Sequence, residues 1–193
     1  MTGRSYTAAL DRLLQPLRFN REGKSWIRVR GSIWDCVDLQ KSGVDGSVTV
    51  NLYGKDLETE KLLQTIGCDS PLGIVLLGQR IGLLIDGHDR WWKNDPSGPA
   101  ELAEAVRVHG ISWFERVQSL EDQATLWYSR AATAQPWRKP NLAALAVTLY
   151  RLGELDEALA LFEAPIPRTA IPTLVADGRC VERWLKSRKS ELQ

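Results

Sequence analysis

A chain of 193 residues with 25 Lys and Arg against 24 Asp and Glu has a formal net charge of +1, so no global field draws it to nucleic acid or to an anionic membrane. With 44% hydrophobic and 25% charged residues it has the composition of a globular protein that buries its own core, in one large domain or two small ones. Cys36, Cys68 and Cys180 lie too far apart for a disulfide framework or a zinc site, MTGRSYTAAL lacks a signal-type apolar core, and the longest apolar run, Gly73 to Leu77, is too short to span a bilayer; a reduced, cytoplasmic protein is expected.

Leu10, Leu13, Leu14 and Leu17 recur at helical spacing and predict a first helix that Pro16 ends or kinks. From Ser25 to Arg30 the chain alternates, and Gly31-Ser32 is a two-residue turn that pairs this run with Ile33 to Gln40. The register sets Arg30 against Ile33, Arg28 against Asp35 and Trp26 against Val37. Trp34 and Cys36 then compete with Val37 and Leu39 for the buried face, which predicts a bulge near Cys36 or Val37. A polar turn, Lys41 to Ser47, leads into a strand with Val48, Val50 and Leu52 on one side and Thr49, Asn51 and Tyr53 on the other, so one face is buried and one can meet a partner. Asp56 reads as the N-cap of a helix that Gly67 stops. Gly73 to Leu77 and Arg80 to Ile85, either side of Gly78-Gln79, read as a second hairpin, after which His88-Asp89-Arg90-Trp91-Trp92 leaves the sheet.

A Leu-striped helix, Leu17-Arg18-Phe19 ahead of Gly23, Trp26 and Arg28, then Val37-Asp38-Leu39-Gln40-Lys41-Ser42, Thr49-Val50-Asn51-Leu52, Arg80-Ile81-Gly82 and Asp89-x-Trp91-Trp92 together resemble the family catalogued as domain of unknown function 4304, over about residues 5 to 117. The resemblance implies a small bacterial α+β domain of no established activity and adds no catalytic residue.

From Ser97 onward the period is helical. Ser97-Gly98-Pro99 opens a helix that runs to Gly110, and Ser112-x-x-Glu115 and Ser119-x-x-Asp122 read as further helix starts. After a break at Gln135 to Pro140, residues 141–164 read as two antiparallel helices around Gly153 at the spacing of a tetratricopeptide unit. Asp177 reads as the cap of a last helix whose basic residues form a solvated face. The fold class is therefore α+β: an antiparallel sheet of four to five strands with flanking helices (1–117), then an all-helical half with the tetratricopeptide-like hairpin (118–193), expected to pack on the first.

His88 and His109 have no second ligand at metal spacing, no Gly-x-Ser-x-Gly elbow exists, and no Gly-rich loop precedes a helix, so the expectation is no metal, no cofactor and no catalytic set. The binding candidates are Arg28, Gln40, Asn51 and Arg80, one from each of four extended runs and ringed by Trp26 and Tyr53, together with Trp91 and Trp92. The expected function is non-enzymatic binding of another protein, with the immunity partner of a bacterial toxin as one form of it. The alternative is a small enzyme acting on a polar or anionic molecule in the concave sheet face, with Arg28 or Arg80 gripping an anion and His88 or Asp89 moving a proton.

Overall fold

The computed structural model describes residues 2–68, 77–93, 95–131, 142–163 and 172–191. They fall into two compact units, Met1–Gly54 with Leu77–Arg116, and Lys55–Leu76 with Val117–Gln193. The break expected at Gln135 to Pro140, and most of the run from Gly73, lie outside the described residues.

In the first unit a five-stranded antiparallel sheet runs in chain order through β1 (Asn20–Glu22), β2 (Ser25–Arg30), β3 (Ile33–Lys41), β4 (Val48–Asp56) and β5 (Leu77–Arg80). Gly31 takes φ +59° in the turn between β2 and β3, a conformation that costs a glycine little, and the ladder pairs Arg30 with Ile33, Arg28 with Asp35 and Trp26 with Val37. The expected bulge is absent from this ladder: pairing is unbroken from Ser25–Asp38 to Arg30–Ile33. Ile33, Asp35, Val37 and Leu39 keep to one buried face, and Cys36 is buried on the other, so β3 has apolar positions on both faces without changing sides.

The second hairpin is also corrected. Gly78 and Gln79 lie inside β5, paired with Tyr53 and Leu52, and Ile81–Ile85 is a helix, α3. An Ile-Gly-Leu-Leu-Ile run fits a strand or a buried helical turn equally by periodicity. The run takes the helix, and Gly82 admits a close neighbour there, because a Cβ would sit 2.4 Å from the Arg90 nitrogen and 2.6 Å from the His88 carbonyl oxygen. Residues 88–90 thus fold back onto α3, after which Trp92 exchanges two backbone hydrogen bonds with Val48, at 2.7 and 2.9 Å.

Helix α1 (Thr2–Leu14) ends in a 3-10 turn that contains Pro16. It packs on α4 (Gly98–Ala105), where the Tyr6 hydroxyl donates to the Lys93 carbonyl at 2.5 Å beside Gly98. Gly110 does not stop this helix. The chain continues through a π-helical turn, Val106–Gly110, into α5 (Ile111–Glu115), and the Ser112 hydroxyl bonds back to the Val108 carbonyl at 2.8 Å instead of capping a new start. Leu10, Leu14, Leu52, Leu102, Val106 and Phe114 form the core between these helices and the sheet.

The second unit is helical. Asp56 caps α2 (Leu57–Ile66) by accepting from the Thr59 amide at 2.7 Å, and it also takes the Arg151 guanidinium. Gly67 closes the helix at φ +88°. Ser119 and Asp122 cap α6 (Leu120–Ala131) as their spacing implies. At the centre of this unit α7 (Leu142–Arg151) is buried from Ala143 through Leu149, its Thr148 hydroxyl satisfied by the Ala144 carbonyl, and a helix buried all round requires neighbours on every side. It receives them from α2, α6, α8 (Leu155–Ala160) and α9 (Pro172–Glu191). Asp177 lies within α9 and not at its start, since Pro172 occupies the first position that proline suits. No helix among the described residues is long and apolar enough to cross a membrane.

Candidate functional site

The period of two along each strand assigns every side chain of the sheet to a face. Trp26, Arg28 and Arg30 face the helices with Val37, Asp35 and Ile33. On the other face lie Trp34, Asp38 and Gln40 of β3, Asn51 and Tyr53 of β4, and Arg80 of β5, all half-buried.

Arg80 and Asn51 are paired across strands, and Gln40 comes from the neighbouring β3, so three polar side chains meet on one level of this open face. The Arg80 Nε donates to Asn51 Oδ1 at 3.3 Å and its Nη2 to Gln40 Oε1 at 3.1 Å, while Asn51 Nδ2 donates to the same Gln40 oxygen at 3.0 Å. Its third nitrogen, Nη1, reaches Asp89 Oδ2 at 2.6 Å. That carboxylate oxygen also accepts the Trp91 indole N–H at 3.1 Å, and the guanidinium carbon lies 5.4 Å from the Trp91 ring centroid. Arg80 is thereby fixed on three sides and stacked on a fourth, with its side chain 28% exposed and that of Asp89 47% exposed. Gly82 is the residue that makes the cluster possible, because its bare backbone admits the segment carrying Asp89 and Trp91.

Around this cluster the face is aromatic and weakly acidic. Tyr53 lies over Gly78, where a Cβ would stand 3.1 Å from two ring carbons. Burial, then the charge of Asp38, raises the Tyr53 phenol above its ordinary value. Cys36 beside it is pushed up to about 12, first by burial and then by Asp38, which makes it a packed thiol and not a nucleophile. Ser25 donates to Asp38 at 2.8 Å.

Of the six residues singled out from the sequence, the structure brings together Gln40, Asn51, Arg80 and Trp91. Arg28 and Trp92 are elsewhere. Arg28 lies on the helix-covered face, donating from Nε to Asp35 Oδ2 at 2.9 Å with its guanidinium 4.4 Å from the Phe19 ring centroid. Arg30 donates to the same oxygen at 2.9 Å and to Glu115 at 3.2 Å. Burial raises the Asp35 carboxyl above its ordinary value, opposed by the hydrogen bonds from Arg30 and Arg28. Trp26 is buried on that same face, its indole donating to Asp11 at 2.8 Å, so it rings no open platform. Trp92 is buried at its bridge to Val48. His88 is exposed in a turn, its amide bonded to Asp86 at 3.0 Å. Sequence reasoning left Asp89 out of the binding set and gave Gly82 no role; the Asp89-x-Trp91 spacing was the available signal. Among the described residues no group of three or more His, Cys, Asp or Glu could hold a metal ion.

An antiparallel sheet with helices on one face and a polar, aromatic cluster on the other defines the first unit as an α+β sheet domain. The family model described as Domain of unknown function (DUF4304) matches residues 10–115, and the chain belongs to that family. No curated protein and no solved structure matches the chain.

Proposed function

We propose that this is a non-enzymatic, cytoplasmic interaction protein that binds another protein through the open face of its sheet. The observation that carries the reading is the Arg80 guanidinium, held by Gln40, Asn51 and Asp89 and stacked on Trp91 while still part-exposed. Arg and Trp are the residue types that most often dominate interface energetics, and side chains already fixed in place lose little entropy on binding. Immunity to a bacterial toxin is a narrower form of the same proposal.

The test is affinity capture from the native cell by the wild-type chain and by Arg80→Ala and Trp91→Ala. A stoichiometric partner retained by the wild type and lost by both variants, at little-changed melting temperature, is the expected result. A partner held equally by all three moves the functional surface off the sheet.

A further inference from the structure

We infer that the β1–β3 half of the open face receives a basic, part-apolar segment of another protein, with apolar side chains on Val29, Ile27 and Trp34 and a Lys or Arg between Asp38 and Glu22. The inference rests on the reading of this face as a protein-binding surface and adds the chemistry of what binds there. The ladders order this half in three rows: Val29 against Trp34, then Asn20, Ile27 and Cys36, then Glu22, Ser25 and Asp38. In the first row Val29 is 56% exposed, and of the large apolar side chains described only Val44 is more so. An exposed apolar patch beside charged residues marks a docking surface. In the third row the two carboxylates stand either side of Ser25, about 10 Å apart by strand spacing. The Ser25 hydroxyl donates to Asp38 Oδ1 at 2.8 Å, but among the described residues neither carboxylate makes an ion pair. Arg21 lies on the other face with Asp11, Arg80 is already paired with Asp89, and Lys24, in the turn between β1 and β2, is ion-paired to neither. The negative charge is felt across the face: after burial it is Asp38 that raises the Tyr53 phenol and the Cys36 thiol, and Glu22 adds to it at Cys36. Such a row attracts a cation and repels a nucleic-acid phosphate and a partner carboxylate alike. Four residues of β2 separate the apolar row from the acidic one, about 13 Å, so an extended segment whose alternate side chains run apolar, apolar, basic meets both ends.

The probe is the acetylated, amidated hexapeptide Leu-Ser-Leu-Ser-Lys-Lys titrated into the full-length, 15N-labelled chain. Leu-Ser-Leu-Ser-Gln-Gln and Leu-Ser-Leu-Ser-Glu-Glu, capped in the same way, are the controls. The readouts are the indole N–H of Trp34, assigned through Trp34→Phe, and the backbone amides of Ser25 and Val29. The lysine peptide should shift all three, and the glutamine and glutamate peptides should need a higher concentration or leave them unmoved. Asp38→Asn keeps an oxygen for the Ser25 hydroxyl but loses the charge, so it should raise the saturating concentration by roughly two- to five-fold, the effect of an exposed ion pair. Val29→Ser should raise it by roughly four-fold, the worth of about one buried methylene. Asp86→Asn, which removes a charge from the turn after α3 and outside these rows, should leave it unchanged. Resonances unmoved by the lysine peptide overturn the inference. So do saturation by the glutamine or glutamate peptide at the same concentration, and equal losses for Asp86→Asn and Asp38→Asn. A captured partner that is lost on Arg80→Ala but held equally by the wild type, Asp38→Asn and Val29→Ser leaves the protein-binding reading standing and removes the basic segment alone.

Discussion

The two faces of one sheet carry the same chemical pair, arginine with aspartate, in opposite settings. On the helix side Asp35 is fully buried and takes both Arg28, whose side chain is 10% exposed, and Arg30, with Phe19 and Phe114 beneath the Arg28 guanidinium. On the open side Arg80 and Asp89 are part-exposed, and neutral amides supply the remaining partners. Losing one member of the buried group leaves charges in a low-dielectric setting, whereas on the open side water can replace any member. The same contact therefore serves stability on one side and is free to serve recognition on the other.

The sharpest way to break this contrast is Asp35→Ala, which strands two guanidinium groups under the helices. Removing one partner from a buried ion pair costs roughly 3–5 kcal/mol, and a denaturant midpoint that barely moves would show Asp35 to be solvated after all. Next comes Gly82→Ala. Its Cβ would meet backbone at 2.4 Å, and overpacking of this kind costs about 1–3 kcal/mol. Because the displaced segment carries Asp89 and Trp91, the Trp91 indole resonance should shift toward that of an unbonded N–H while Arg28 and Asp35 stay as they are. Arg80→Ala is expected to cost about 1 kcal/mol or less, since pairs this exposed contribute little; a loss as large as that of Asp35→Ala would make the open-face cluster a structural one.

The smallest effect separates exposure from hydrogen bonding. Asp45, in the turn between β3 and β4, is exposed, yet hydrogen bonds from the hydroxyls of Ser47 and Ser42 and from the Ser47 amide hold its carboxyl down at about 2. A depressed carboxylate contributes its stabilisation above the unfolded value, about 3.9, and loses it as pH falls through the folded one. The Ser47 amide shift should accordingly titrate near pH 2, not near the ordinary aspartate value. A midpoint at the ordinary value would mean that these turn bonds are not kept in solution.

Much of the local structure of both units was legible in the chain. The Gly31-Ser32 turn and the alternation around it set the β2–β3 register to the residue, and the Ser119 and Asp56 caps followed from hydroxyl and carboxylate placement ahead of helical stripes. The site was legible only in part. Gln40, Asn51 and Arg80 could be chosen as polar residues in strands, but Arg28 was assigned to the wrong face. The pairing of Arg28 with Asp35 was readable, but Asp35 shares a face with Val37 and Leu39, and that this face is the one the helices cover, with Phe19 against the guanidinium, is settled only by packing.

What the sequence determined by itself were properties that depend on neighbours along the chain: the alternation of β2 and β4, the Gly31-Ser32 turn with its register, and the Asp56 and Ser119 caps. The tertiary structure alone decided whatever depends on approach between distant segments. Ile81–Ile85 is a helix against which residues 88–90 lie at Gly82, Gly110 stays inside a helical run where its missing side chain faces Leu52, and Asp89 meets Arg80 because the backbone can fold back there. Local free-energy preferences of a few tenths of a kcal/mol per residue are readable from sequence, but each of these choices is settled by larger steric and electrostatic terms that exist only once the segments touch.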